Sequence, residues 1–274
     1  MNRTYRGRLA PTPSGQLHLG HARTFWLTYQ RCIEHNGSLL LRIEDLDPHR
    51  SKPEYIDSMF EDFKWMGITW SEGPVHQSMR REAYINTWER LKNAGYIYPC
   101  SRSRKDVKAA AYAPHEEDEF AEPIFPPQWR PAPGAEKAYH RPGSEVSWRF
   151  RVPDGEVIKF TDIEQGELCF EAGKDFGDFV IWRRDDVPAY ELAVVTDDIE
   201  HDISEVVRGM DLLRSTARQL LLYQALKATP PAWCHLPLVC DEQGKRLAKR
   251  HNAMALSTLR KEGKSFEACI EQVL

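Results

Sequence analysis

The stretch "SLLLRIEDLD", residues 38–47, limits the fold more than any other part of the chain. A near-continuous apolar run leaves no solvent face for an amphipathic strand, so it suits a central parallel strand covered on both sides. What precedes it has the matching form. "YRGRLAPT" reads as a short strand, which Pro11, Pro13 and Gly15 then break. From Leu19 onward, Leu19, Ala22, Trp26, Tyr29 and Ile33 recur at helical spacing, and Gly37 is a stop signal. Strand, glycine-containing turn, helix and strand make one βαβ unit.

The alternation continues. "PEYIDSMFEDFKWMG" puts Tyr55, Ile56, Met59, Phe60, Phe63 and Met66 on one helical face, and "ITW" reads as a short strand. "REAYINTWERLKNAG" is a further helix, and "YIYPC" the next strand. This order predicts an α/β fold with a Rossmann-like, doubly wound parallel sheet, whose ligands bind at the carboxyl ends of the strands. After Cys100 the character changes: 7 of the 18 prolines fall between Pro114 and Pro142, beside the acidic run "HEEDEFAE". Residues 101–146 therefore read as an irregular insertion between a first half, 1–100, and a second half, 147–250. The second half holds "EVSWRFRV", "GELCFEAG" and "DFVIWRR" as strands, the amphipathic "STARQLLLYQALKA", the strand "WCHLPLVC" and the basic loop "DEQGKRLAKR". Residues 251–274 form a short helical tail.

Composition excludes several classes. No apolar run approaches the roughly 18 residues of a membrane span, and "MNRTYRGRLAPT" lacks the apolar core of a signal peptide. Cys32, Cys100, Cys169, Cys234, Cys240 and Cys269 form no C-x-x-C pair, which fits a reducing compartment; a cytoplasmic protein is expected. A formal charge of −4 announces no nucleic-acid binder, but a polyanion needs only a basic stripe. Three clusters offer one, or are simply solvated charge: Arg3, Arg6 and Arg8; Arg102, Arg104, Lys105 and Lys108; and "KRLAKRH" from Lys245 to His251.

"PTPSGQLHLGH", residues 11–21, lies where the first strand gives way to the first helix. His18 and His21 would need further ligands to hold a metal, and no carboxylate or cysteine stands at a helical offset to join them. Either histidine alone could serve a structural turn. A grip on phosphate uses the whole stretch: glycine, free N–H groups at a helix start, and two imidazole donors.

"HLGH" resembles the HIGH signature of class I aminoacyl-tRNA synthetases, and "RLAPTPSGQLHLGHART" is similar to the opening of the glutamyl-tRNA synthetases in particular. "RIEDLDPHRS", "AYELAVVTDDIEHDISEVVRGMDLL" and "HLPLVCDEQGKRLAK" resemble that family's later blocks, in order, with "RLAKR" in the place of the KMSKS loop. Only 24 residues follow Arg250, where a full glutamyl-tRNA synthetase carries anticodon-binding domains. A core without that appendage resembles the branch that glutamylates queuosine in tRNA(Asp). The resemblance implies activation of L-glutamate by ATP, with Mg2+ accompanying ATP, and transfer to the queuosine-bearing anticodon loop of tRNA(Asp). The alternatives are a glutamyl-tRNA synthetase core that loads a tRNA 3′ end, and a non-catalytic tRNA-binding paralogue. No membrane partner is expected, and the protein is expected to be a monomer.

Adenylate formation builds negative charge on phosphate oxygens, so the site needs positioned donors and cations rather than a covalent nucleophile. The resemblance gives the catalytic roles to His18, His21 and Lys249, and contact with ATP to His18, Gly20, His21, Arg246 and Lys249. Lys249 would follow charge onto the leaving pyrophosphate as its loop closes. For glutamate, Arg8 would form a fork-like pair with the side-chain carboxylate, and Arg208 would meet a second anionic group. Glu44 would accept from the ammonium, Tyr190 would supply a hydroxyl and an apolar wall, and Ala10 and Thr12 would line the turn. The chain departs from the family at its zinc site. Ser101 and Arg102 follow Cys100, and Phe125 and Trp129 stand where the family has a tyrosine and a cysteine. Cys100 with His115 supplies too few ligands, so neither zinc nor any other bound metal is expected apart from the Mg2+ of ATP.

Overall fold

The strand expected in "YRGRLAPT" forms as β1 (Arg6–Leu9), and "SLLLRIEDLD" supplies β2 (Ser38–Ile43). They run parallel, with Arg8 opposite Leu40, and the helix α1 (Leu19–Glu34) connects them. The structure is a computed structural model that describes residues 4–110, 122–143, 145–239 and 255–274. After β2 come α2 (Pro53–Trp65), with Pro53 at its first turn, and β3 (Glu72–His76), parallel to β2. "ITW" is not a strand. The third strand begins past it, where Gly73 and Pro74 hide a strand signal; a proline that cannot donate is tolerated on a strand with a single described partner.

The chain then enters a second compact unit, residues 80–201 and 211–230. It contains α3 (Arg81–Asn93), β4 (Ile97–Cys100), α4 (Arg104–Ala110), β5 (Ser147–Phe150), β6 (Val157–Asp162), β7 (Gly166–Glu171), β8 (Phe179–Trp182) and α5 (Tyr190–Glu200). "YIYPC" does form a strand, but β4 pairs antiparallel with β5, which pairs antiparallel with β8. Trp88 of α3 meets Trp148 of β5 edge to face at 4.7 Å, one of the large buried contacts of this unit. The first unit resumes with β9 (Glu205–Gly209). After α6 (Leu213–Leu226) of the second unit, the first unit continues with β10 (Ala232–Leu236), α7 (Leu256–Lys261) and α8 (Phe266–Ile270).

In the first unit β9 and β10 are parallel. β9 lies beside β1: Ser204, just ahead of β9, donates its backbone N–H to the Arg6 carbonyl at 2.9 Å and accepts from the Arg6 N–H on its hydroxyl at 2.7 Å. Leu9, Leu41, Ile43 and Phe63 are fully buried and pack in one core with the buried Phe25, and burying each such side chain is worth roughly 1.5–3 kcal/mol. The buried stripe of α1 runs through Ala22, Phe25, Thr28 and Cys32, one helical row away from the expected one, and Ile33 is left exposed. Arg31 of α1 pairs with Glu205 at the start of β9 and fixes the helix over the amino ends of the strands. The carboxyl ends of β1, β2 and β9 and the start of α1 are left to build the site.

Candidate active site

α1 has an unusual cap. His18 has extended backbone at the N-cap, and its Nδ1 accepts the Gly20 N–H at 3.1 Å. The Nδ1 of His21 in turn accepts the His18 N–H at 3.2 Å, a reciprocal capping box built from two imidazoles whose rings lie 3.8 Å apart. A neutral ring that accepts at Nδ1 carries its proton on Nε2, so both histidines present N–H donors at the positive end of the helix. Gly20 is part of the same device. A Cβ there would lie 3.1 Å from the His18 ring, so only glycine lets that ring fold onto the helix start without displacement.

Arg8, at the end of β1, is 5% exposed and donates from Nη1 to the Val207 carbonyl of β9 at 3.3 Å. Arg208, on the neighbouring strand β9, is 4% exposed. Its Nε donates to Nε2 of the fully buried His235 on β10 at 3.0 Å, and its guanidinium lies 4.8 Å from the Trp233 ring. Glu44, just beyond β2, accepts on Oε1 from Nη2 of the buried Arg42 at 3.2 Å and on Oε2 from the Thr12 hydroxyl at 3.4 Å. Its backbone N–H donates to the Pro11 carbonyl at 2.9 Å, which ties the turn holding Ala10 and Thr12 to the end of β2.

Arg8, Ala10, Thr12, His18, Gly20, His21, Glu44 and Arg208 thus all stand on the first unit, at carboxyl ends of parallel strands or at the adjoining helix start. Tyr190 belongs to the second unit, where it is the partly exposed first residue of α5. Arg246 and Lys249 lie outside the described residues, but the chain on both sides of their segment does not. Arg23 of α1 donates to the Pro237 carbonyl at 2.8 Å, and the Leu256 N–H donates to the Leu17 carbonyl at 2.9 Å beside a bridge between His18 and Ala255.

In the second unit Cys100, Phe125 and Trp129 do come together, in an apolar cluster with Tyr98 and Val107. The Arg102 guanidinium covers the Trp129 ring at 4.7 Å, and Arg149 covers Phe125 at 4.3 Å. Aromatic rings under guanidinium groups are no donor set for zinc, and among the described residues no group of three metal-ligating side chains is found. His115 lies outside the described residues.

The family described as tRNA synthetases class I (E and Q), catalytic domain, matches residues 4–274. The chain belongs to this synthetase family. It is similar to a glutamyl-Q tRNA(Asp) synthetase of Symbiobacterium thermophilum, 43% identical over 96% of this chain and 84% of that one. It is 35% identical to a glutamate–tRNA ligase of Nostoc punctiforme over 97% of this chain and 56% of the ligase. A solved glutamate tRNA ligase from Elizabethkingia meningosepticum, in complex with its amino acid, matches with a TM-score of 0.75 at 27% identity. That match covers 95% of this chain and 53% of the ligase, so the chain spans about half of it. A class I synthetase is a ligase that draws on ATP, and its parallel α/β core agrees with the sheet expected from the sequence.

Sequence reading missed three supporting residues of this candidate site: Arg42, His235 and Arg23. Two left a signal, since Arg42 and His235 are each a polar residue inside an otherwise apolar strand. Arg23 left none, because its role depends on where residue 237 returns to the helix.

Proposed function

We propose that the protein activates L-glutamate with ATP, accompanied by Mg2+, and transfers it to queuosine in the anticodon of tRNA(Asp). The observation that carries the first step is the charge set at the strand ends: Arg8 and Arg208 with the carboxylate of Glu44, beside the capped start of α1. Glutamate has two carboxylates and one ammonium, and this set answers each with its opposite charge. Arg8 takes the side-chain carboxylate, Arg208 a second anionic group, and Glu44 the ammonium, with Ala10 and Thr12 along the turn. Tyr190 carries its share of glutamate binding on the family resemblance. Glutamine has nearly the same shape, but its neutral amide offers a guanidinium one acceptor oxygen where a carboxylate offers two charged ones, a loss of roughly 1–3 kcal/mol or more.

ATP is held by His18, Gly20, His21, Arg246 and Lys249 in this reading. A glutamate carboxylate oxygen attacks the α-phosphorus, the bond to the bridging oxygen breaks, and pyrophosphate leaves with its electron pair. The Nε2–H groups of His18 and His21 donate to phosphate oxygens, while Lys249 follows charge onto the pyrophosphate. In the second step an acceptor hydroxyl attacks the acyl carbon, AMP departs, and the hydroxyl proton passes to solvent. Queuosine bears a cyclopentenediol whose hydroxyls resemble the ribose diol of a tRNA 3′ end, so the second step needs no new chemistry. What favours queuosine is the higher identity to curated relatives of that name, 43% and 40%, than to the glutamate–tRNA ligase at 35%. The relatives are bacterial, and the reading includes a monomer acting in the cytoplasm.

The test presents purified protein with ATP, labelled glutamate and separate tRNA pools, then maps the label after nuclease digestion. Label on queuosine of tRNA(Asp), absent from the same transcript with unmodified guanine, is the expected result. Label on a 3′-terminal adenosine would replace this reading with an ordinary glutamyl-tRNA synthetase core.

A further inference from the structure

Arg42 lies inside β2, between the core residues Leu41 and Ile43, and presents no surface to solvent. A guanidinium taken out of water must be paired. Among its partners is Glu44, whose Oε1 accepts from Nη2 at 3.2 Å. Residues two apart on extended chain share a face, so the order Arg-Ile-Glu itself brings this pair together. The other oxygen of Glu44 accepts from the Thr12 hydroxyl at 3.4 Å, and only 8% of the residue is exposed. The neighbouring carboxylate is engaged elsewhere. Asp45 accepts from Nδ1 of His76 and from the N–H and hydroxyl of Ser78, each at 2.9 Å.

The carboxylate set against a substrate ammonium is thus already answered by a fixed cation behind it. Arg8 and Arg208 stand at the ends of the adjoining strands of the same unit. Three guanidinium groups against one carboxylate leave these four side chains cationic. Such a set favours a ligand with two negative charges over one whose ammonium cancels a carboxylate. A ligand without the ammonium gives up its contact with Glu44, which Arg42 has weakened. It keeps both carboxylates and both of the arginines that meet them.

We infer that Arg42 sets how little of substrate binding rests on the ammonium, so that five-carbon dicarboxylates without an amino group compete for the same pocket. Glutarate and its 2-oxo derivative are the simplest of these. The inference rests on the glutamate reading given above and adds to it a specificity-determining residue and a ligand class.

The test uses wild type and two variants in ATP–pyrophosphate exchange without RNA, with glutarate, 2-oxoglutarate and 4-aminobutyrate as competitors of L-glutamate. In wild type, Ki for glutarate and 2-oxoglutarate lies within about tenfold of KM for glutamate. 4-Aminobutyrate, which keeps the ammonium and one carboxylate, competes more weakly than glutarate. Arg42→Met removes the charge behind Glu44, so the ammonium counts for more, and Ki for glutarate divided by KM for glutamate rises about tenfold. Arg42→Lys keeps the charge and moves this ratio less. A ratio taken within one protein does not change when the folded fraction falls, and the wild-type comparison needs no variant. Glutarate that fails to compete at about 10²-fold the KM for glutamate overturns the inference. So does a wild-type ratio in Arg42→Met. Wild type that gives no exchange with L-glutamate overturns the glutamate reading, and this inference with it.

Discussion

Arg208 on β9 and His235 on β10 face one another across a parallel pair, and the guanidinium Nε donates to the imidazole Nε2 at 3.0 Å. A nitrogen that accepts from arginine holds no proton, so His235 is the neutral Nδ1–H tautomer here. With Nε committed and Trp233 under its plane, the guanidinium is fixed in orientation before any ligand arrives. His235 thus acts as a positioning residue. His235→Phe should raise KM for glutamate about tenfold or more in pyrophosphate exchange, with a smaller change in kcat, as expected for a lost hydrogen bond to a charged group. His235→Asn, which keeps an acceptor, should recover part of the loss. Equal damage from both variants, in kcat and KM alike, would reduce His235 to core packing.

The paired histidine cap separates stability from chemistry. His18→Ala removes the cap and the Nε2 donor together, and should cost roughly 0.5–2 kcal/mol of stability besides activity. Asparagine is a good N-cap but has no group at the position of Nε2. His18→Asn should therefore melt within a few degrees of wild type while pyrophosphate exchange falls about 10²-fold. Retained exchange in that variant would leave His18 a structural cap only.

In the proposed reading Lys249 acts on the transition state, and Lys249→Ala tests that role. Exchange kcat should fall roughly 10²-fold or more, with KM for ATP changed far less. Wild-type exchange should proceed without any tRNA, and aspartate and glutamine should not support it.

Asp62 of α2 is wholly buried, with Arg260 of α7 at 3.3 Å. Burial outweighs the arginine and pushes its carboxyl up to about 6. A raised folded-state value means that the native protein holds this proton where the unfolded chain has released it. Asp62 therefore adds stability at low pH, and that stability is lost as pH rises through about 6. Moving from pH 7.5 to pH 5 should give wild type roughly 1–1.5 kcal/mol that Asp62→Asn does not gain. Parallel thermal melts of the two proteins at both pH values check this, and an equal shift in both would rule it out.

Cys100 with Phe125 and Trp129 forms an apolar cluster, not a donor set. Chelator treatment should leave the melting temperature unchanged, and metal analysis should find well below one zinc per chain.

The parallel core was legible because "SLLLRIEDLD" and the helical repeat from Leu19 are strong local patterns. β3 was not, because the glycine and proline that let it follow its neighbour are residues that ordinarily argue against a strand. The glycine, the helix start and the two imidazoles of "PTPSGQLHLGH" pointed to a grip on phosphate. That its two rings cap the helix through reciprocal Nδ1 acceptance is a matter of rotamers, and no spacing rule contains it. Arg42 and His235 are harder still. Each supports a residue on another part of the chain, so its meaning exists only once two strands are side by side.

The segment 240–254 leaves the first unit just after Pro237, held by Arg23, and re-enters at Ala255 beside His18. Both attachments are to the opening of one helix. Arg23 and His18 stand within the first two turns of α1, so whatever disturbs the start of that helix disturbs the described chain on both sides of the segment together.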